Sequence, residues 1–170
     1  MKSLLLATAF LALGVTCSHA APLAVGAAAP AITGTNQDGK PIDFAATYKK
    51  GLTLVYFYPK AGTPGCTAQA CSLRDSFADL TAQGIQVIGV SRDSVDSQKK
   101  FEETNKLPFP LVADADGKVA AAFGVDLIPV VGLTQRESFL IKDGKIAWVT
   151  TKAQTATHAQ EVRDAVAKLK

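Results

Sequence analysis

The apolar positions of the chain form short runs typical of buried strands and stripes typical of amphipathic helices. Two runs with little polar alternation, Leu52–Tyr58 and Ile85–Val90, predict strands that are buried on both faces. Between them, residues 63–83 predict one helix, because apolar side chains recur at helical spacing at Cys66, Ala70, Leu73, Phe77 and Leu80. A strand, a helix and a second strand in this order predict a parallel sheet with a right-handed crossover.

The remaining segments extend this pattern on both sides of the predicted unit. In chain order they predict a hairpin at 32–43, a helix at 94–106, a strand at 110–113, a helix at 118–123, a hairpin at 137–149 and a helix at 157–169. The last helix begins with Thr157–Gln160, which has the pattern of a capping box. Together the segments predict one α/β domain over residues 21–170, with strands packed between helices.

The first twenty residues differ from the rest of the chain. Lys2 precedes the apolar run Leu4–Val15, and Ser18–Ala20 places small residues where signal peptidase cuts. The run is shorter than the roughly 20 residues that a membrane-spanning helix needs. We therefore expect residues 1–20 to be a cleaved signal peptide and the protein to be exported, in bacteria to the periplasm. Cys17 is a weaker candidate for lipidation, because residues 14–16 do not resemble a lipobox.

Composition and charge exclude several classes of protein. The chain has 170 residues, of which 48% are hydrophobic and 19% are charged, so it is typical of a globular domain and not of a disordered one. Its formal net charge of +3 is spread along the chain, which argues against a nucleic-acid partner. No metal site is predicted: the turn at 114–117 lacks the rest of a calcium loop, and His158 is expected to be exposed at a helix start.

Removal of the signal peptide leaves two cysteines, Cys66 and Cys71. Cys66 lies at the third position of a helix for which Thr63 is a suitable N-cap and Pro64 a suitable first residue. At this position the unpaired amide groups and the helix dipole favour a thiolate over a thiol. The loop before it lies at the carboxyl end of a parallel strand, where sites form in α/β sheets.

Two interpretations of the cysteines remain open at this point, a structural disulfide and a reactive pair. Residues five apart in an intact helix have Cα atoms about 8.7 Å apart, whereas a disulfide tolerates about 7 Å. A bridge between Cys66 and Cys71 therefore requires the helix to unwind. This favours a pair that cycles between dithiol and disulfide over a permanent bridge.

The residues around Cys66 resemble a known family. Pro59–Cys66 matches the Pro-x-x-x-Thr-x-x-Cys motif of peroxiredoxins, and the wider segment Tyr56–Thr67 resembles their Q-type branch, also called bacterioferritin comigratory protein. That branch is similar in carrying a second cysteine five residues later, as Cys71 does. It also resembles this chain in placing an arginine, here Arg136, shortly before a strand containing Phe-Leu-Ile. The likeness covers most of residues 24–170.

The resemblance implies a thioredoxin-like fold, with a central mixed sheet flanked by helices, and a thiol peroxidase that reduces hydrogen peroxide and organic hydroperoxides. It implies that Cys66 attacks the peroxide and becomes a sulfenic acid, and that Cys71 condenses with it to a disulfide. It further implies that Pro59 shields the sulfenate, that Thr63 hydrogen-bonds the peroxide, and that Arg136 stabilises the thiolate and the leaving oxygen. An external dithiol, expected to be a thioredoxin-like protein, restores the thiols, and no cofactor or metal is implied. The internal resolving cysteine favours a monomer.

One segment departs from the pattern of the Q-type branch. Residues 125–135 lack the aromatic and basic side chains that the Q-type branch has in this region, so the pocket wall and the docking of the reductant are expected to differ. A non-enzymatic, disulfide-stabilised binding module on the same fold is the second hypothesis. A thioredoxin-type disulfide reductase is disfavoured, because its cysteines are separated by two residues and not by four.

Overall fold

The computed structural model describes residues 23–169, and the predicted signal peptide lies outside this part of the chain. The strands are β1 (Thr33–Thr35), β2 (Pro41–Asp43), β3 (Leu52–Phe57), β4 (Ile85–Ser91), β5 (Leu111–Ala113), β6 (Ser138–Lys142) and β7 (Lys145–Thr150). The helices are α1 (Phe44–Tyr48), α2 (Pro64–Asp75), α3 (Phe77–Ala82), α4 (Val95–Asn105), α5 (Lys118–Ala122) and α6 (His158–Ala167). Across residues 23–169, no helix is both long and apolar enough to cross a bilayer.

A five-stranded mixed sheet forms the centre of the domain, in the order β5-β4-β3-β6-β7. Strands β3, β4 and β5 are parallel, whereas β6 runs antiparallel to both β3 and β7. Two three-residue strands, β1 and β2, form a separate antiparallel hairpin, as predicted for residues 32–43. The predicted mixed sheet between helices is therefore confirmed.

Strand β3 divides the core into two layers, because its successive side chains point to opposite faces. Leu54, Tyr56 and Tyr58 pack with α2, α3, α4 and α6 in one layer. Val55 and Phe57 pack with α1 and α5 in the other. All of these side chains are fully buried, which confirms that β3 is buried on both faces. The carboxyl end of β3 therefore leads directly from the core into the loop before α2.

The prediction of one helix over residues 63–83 is wrong, because the helix breaks at Ser76. Ser76 has φ −104° and ψ 9°, and it ends α2 and begins α3. Serine is a weaker helix former than alanine or leucine, and the Ser76 side chain makes no capping bond at this boundary. The break lets Phe77 pack against Phe109, with ring centroids 5.9 Å apart.

Two expectations about the start of α6 are also wrong. His158 is fully buried and not exposed. Its two ring nitrogens lie 3.1 Å from the Ser138 hydroxyl and 3.0 Å from the Glu161 carboxylate, and these bonds offset the cost of burial. Thr157 is the N-cap, but its side chain makes no capping bond. The hydroxyl of Ser72 on α2 instead accepts the amide of Ala159 at 3.1 Å.

Candidate active site

Cys66 lies in the first turn of α2, the helix that follows β3 in the chain. The helix begins at Pro64, so Cys66 is its third residue, and its side chain is only 1% exposed. Thr63 is the N-cap, and its carbonyl accepts the first helical bond from the amide of Thr67 at 2.8 Å. The Thr63 hydroxyl does not cap the helix; it donates to the carbonyl of Lys60 at 2.9 Å. The first-turn amides near the sulfur therefore have no side-chain acceptor from Thr63, and their positive dipole ends lie at this end of the helix.

Arg136 lies just before β6, the strand that pairs with β3, and its side chain contacts Cys66. Strand β6 pairs with β3 so that Ser138 lies opposite Tyr56, and the Phe57 amide donates to the Glu137 carbonyl at 2.7 Å. This register brings the residue before Glu137 alongside the end of β3. The Nη2 atom of Arg136 lies 3.3 Å from the Cys66 Sγ atom. A guanidinium at this distance stabilises a negative charge on the sulfur.

Two residues of α2 support the position of the Arg136 guanidinium. Its Nη1 atom donates a hydrogen bond to Oε1 of Gln69, which is fully buried three residues after Cys66. At Gly65 a Cβ atom would lie 3.5 Å from Nη2, which is an ordinary van der Waals distance, so the guanidinium lies directly beside the first turn of the helix. Arg136 is thus held against α2 by a bond to Gln69 as well as by its contact with Cys66.

Cys71 lies on the same helix and is partly exposed, and neither it nor Cys66 is in a disulfide. Because α2 is continuous from Pro64 to Asp75, the two Cα atoms keep the helical separation of about 8.7 Å. The structure therefore holds the dithiol form. The sequence-predicted residues Pro59, Thr63 and Cys66 share one loop and helix start, and Arg136 joins them through the sheet.

Sequence reasoning missed Gln69 and the two tyrosines that lie beneath the site. Gln69 could have been found as a polar residue on the otherwise apolar stripe of α2. Tyr56 is buried, and burial is the main reason why its pKa is raised well above the ordinary range, with Tyr58 and the two cysteines adding to the effect. The phenol therefore stays neutral beneath the thiols. The hydroxyl of Thr134 donates to the carbonyl of Tyr58 at 2.8 Å and ties the segment before Arg136 to the end of β3.

Residues 25–149 of the chain match the AhpC/TSA family. The chain belongs to this family. It is 41% identical over 143 residues to peroxiredoxin Bcp of Escherichia coli K12, which covers 81% of this chain and 91% of that protein. The crystal structure of peroxidoxin BcpB from Mycobacterium tuberculosis is similar, with 31% identity and a TM-score of 0.80, over 86% of this chain and 97% of that one.

A third relative links the fold to a substrate class. The bacterioferritin comigratory protein of Xanthomonas campestris, whose trapped intermediate and ligand complexes concern alkyl peroxide reduction, is 29% identical with a TM-score of 0.74. The match covers 82% of this chain and 92% of that one. The chain is therefore a peroxiredoxin, a thiol peroxidase with a thioredoxin-like fold. The alternative of a non-enzymatic binding module is not favoured.

The described part of the peroxiredoxin holds no group of three or more His, Cys, Asp or Glu side chains that could bind a metal ion.

Proposed function

We propose that Cys66 is the residue that reduces the peroxide. Its thiolate attacks the terminal peroxide oxygen, a sulfur–oxygen bond forms as the oxygen–oxygen bond breaks, and the leaving oxygen takes up a proton to become water or an alcohol. Cys66 is left as a sulfenic acid, oxidised by two electrons. The observation that carries this proposal is the 3.3 Å contact between Arg136 Nη2 and Cys66 Sγ at the start of α2.

Three neighbours support this step. Arg136 stabilises the thiolate and the charge that develops on the leaving oxygen, since charge-assisted bonds in a buried site are strong. Thr63 lies one helical turn before Cys66, and its hydroxyl is suited to bind the peroxide after leaving the Lys60 carbonyl. Pro59 lies two residues after the end of β3 and has no amide donor, and we assign it the role of shielding the sulfenate.

We propose that Cys71 resolves the sulfenic acid. Its sulfur forms a bond to Cys66 Sγ, the sulfenic oxygen leaves as water, and the pair becomes a disulfide. The first turns of α2 must unwind for this bond, because the intact helix holds the two residues too far apart. An external dithiol of the thioredoxin type then reduces the disulfide by exchange and is itself oxidised.

Substitution of the cysteines tests these roles. We expect Cys66→Ser to abolish steady-state peroxide reduction, because a hydroxyl at this position is not ionised and cannot replace the thiolate. We expect Cys71→Ser to stop turnover with a thioredoxin-type reductant, but to leave one round of oxidation in which Cys66 gains a single oxygen atom. Stopped-flow assays with hydrogen peroxide and with cumene hydroperoxide measure the rates, and intact-protein mass spectrometry identifies the product.

The unsubstituted protein, reduced and alkylated before peroxide is added, is the control for oxidation elsewhere in the chain. Turnover by Cys66→Ser at the rate of the unsubstituted protein would contradict the assignment of the attacking sulfur. Full turnover by Cys71→Ser would leave Cys66 as the attacking residue but remove Cys71 as its resolving partner.

We also propose that the protein is exported after cleavage behind Ala20. The support is the pattern of residues 1–20 together with the start of the family match at residue 25, which lies after the predicted cut. Expression of the full chain in a bacterial host followed by osmotic shock tests this. A periplasmic product whose mass begins at Ala21 is expected, and an unprocessed cytoplasmic product would overturn the proposal.

We propose further that the enzyme acts as a monomer. The support is that both cysteines of the proposed cycle lie on one helix, so a partner subunit is not needed to resolve the sulfenic acid. Light scattering of the processed protein at micromolar concentration, in both redox states, tests this directly. A stable dimer in both states would contradict it.

A further inference from the structure

A carboxylate outside the family motif binds the loop between β3 and α2, the helix that contains Cys66. Asp93 lies between β4 and α4, and its Oδ2 atom accepts the backbone amide of Ala61 at 2.8 Å. The same oxygen accepts the hydroxyl of Ser91 at 2.6 Å. Ala61 is five residues before Cys66, in the segment between β3 and α2. Asp93 is thus hydrogen-bonded to this loop as well as to Ser91 at the end of β4.

Buried groups behind Asp93 fix the direction of these bonds. Gln98 is fully buried, and its Nε2 atom lies 2.9 Å from both the Val112 carbonyl and the Ser91 hydroxyl. A carbonyl only accepts, so this atom is the amide nitrogen, and it donates to Ser91. The hydroxyl of Ser91 therefore donates to Asp93. Because the Tyr58 hydroxyl donates to the remaining Gln98 oxygen, the network runs from the end of β3 to the Asp93 carboxylate.

The loop borders an open cleft on the side facing α4. The cleft has a volume of about 290 Å³ and is lined by Ala61 and Gly62 of the loop and by Phe101 and Thr104 of that helix, and Ala61 also packs against the core cluster that contains Phe101. A Cβ atom placed on Gly62 would meet nothing within 4 Å. Since side chains do not fill this space, dispersion contacts there are missing. The hydrogen bond from Ala61 to Asp93 is therefore a contact that holds the loop backbone beside this cleft.

We propose that Asp93 is a positioning residue for peroxide reduction, which holds the Ala61 amide and so keeps the loop in the conformation that places Cys66 beside Arg136. This inference rests on the proposed role of Cys66. Asp93 acts through the loop and does not touch the reacting atoms. Without this carboxylate the loop can move and displace Cys66 from Arg136. Small displacements of reacting groups lower the rate constant strongly.

Three variants in the Cys71→Ser background test the proposal, with oxidation of Cys66 by hydrogen peroxide as the measured step. We expect Asp93→Ala to lower the second-order rate constant about tenfold, the typical effect of losing one charge-assisted hydrogen bond. Asp93→Asn is expected to stay within about threefold of the parent, because its amide oxygen can accept both bonds. Asp96→Ala, which removes an exposed carboxylate from the first turn of α4, is the matched control and is expected to have no effect.

Hydrogen exchange separates positioning from general destabilisation. In Asp93→Ala we expect the amide of Ala61 to exchange at least tenfold faster, while amides of β3 and β4 exchange as in the parent. If Asp93→Ala does not fold, Ser91→Ala replaces it, with a smaller change in the same direction expected. An oxidation rate in Asp93→Ala or Ser91→Ala equal to that of the parent overturns the inference. Failure of the parent protein to be oxidised at Cys66 would instead overturn the proposed function.

Discussion

Glu137, next to Arg136 in the chain, is a buried acid that the proposed reaction does not use. Its side chain is 3% exposed, and within residues 23–169 its Oε2 atom has no hydrogen-bond partner. Burial raises the pKa of Glu137 to about 6, and the nearby charge of Asp126 adds to the effect while the Asp126 amide opposes it. The folded protein therefore binds this proton more tightly than the unfolded chain does.

A raised pKa in the folded state fixes the sign of the pH dependence. Glu137 contributes most to stability while it is protonated, below its unfolded pKa of about 4.3, and this contribution is lost as pH rises through its folded pKa of about 6. Glu137→Gln changes the free energy of unfolding by an amount that depends on pH. We expect this change to be about 1–2 kcal/mol more stabilising at pH 8 than at pH 4.5. Urea denaturation at both pH values measures this.

The exposed Glu103→Gln variant is the control, since it removes the same charge without relieving burial. Equal pH dependence of stability in Glu137→Gln and in the unsubstituted protein would show that Glu137 is not responsible.

Local sequence predicted the residues of the site that depend on nearest neighbours in the chain. The position of Cys66 at the third residue of α2 follows from Thr63 and Pro64 alone, and the structure confirms it. Arg136 came from the resemblance, because nothing local distinguishes an arginine before a strand from a solvated one. Gln69 and Asp93 were missed because their partners lie 67 and 32 residues away in the chain, respectively.

At the scale of elements, α6 is joined to α2 directly after Cys71. Ser72 of α2 accepts the Ala159 amide in the first turn of α6, and His158 in the same turn bonds to Ser138 of β6. The capping pattern at Thr157–Gln160 predicted an N-cap bond within α6, but the acceptor comes from another helix. Sequence patterns describe one element at a time, so they could not show this exchange of partners.

Two single substitutions separate the tertiary cap from the local one. We expect Ser72→Ala to lower the free energy of unfolding by about 1 kcal/mol, because the buried first turn of α6 loses the acceptor for an amide. We expect Thr157→Ala to change it by less than about 0.5 kcal/mol, because the Thr157 side chain makes no capping bond. Urea denaturation of the reduced protein measures both values. A larger effect for Thr157→Ala than for Ser72→Ala would contradict the observed capping.

At the scale of the whole molecule, the sheet order decides which chemistry the loop can perform. The parallel unit of β3, α2 and β4 follows from the apolar pattern, and the structure confirms it. The placement of β6 beside β3 does not follow from that pattern, because a hairpin can join either edge of a sheet. This placement nevertheless brings Arg136 to Cys66. The site therefore depends on a long-range pairing that no local signal contains.

Formation of the Cys66–Cys71 disulfide should lower the stability of the whole domain. Closing so short a loop restricts the unfolded chain by only about 2 kcal/mol. Against this, unwinding the first turns of α2 gives up about four helical hydrogen bonds at about 1 kcal/mol each. It also withdraws Cys66 from the core and from Arg136. The loss exceeds the gain, so we expect the disulfide to lower the free energy of unfolding.

We therefore expect the oxidised protein to unfold at a lower urea concentration than the dithiol form, with a free energy of unfolding about 1–3 kcal/mol smaller. The Cys71→Ser variant, carried through the same oxidation and removal of reductant, is the control for other changes. Greater stability of the oxidised form would mean that α2 accommodates the bridge without unwinding. By the thermodynamic cycle that links folding to oxidation, each 1.4 kcal/mol of lost stability raises the reduction potential of the disulfide by about 30 mV relative to the same bridge in the unfolded chain. A domain that is destabilised by its own disulfide is thus easily reduced by an external dithiol, and refolding of α2 helps to drive the enzyme back to its peroxide-reactive state.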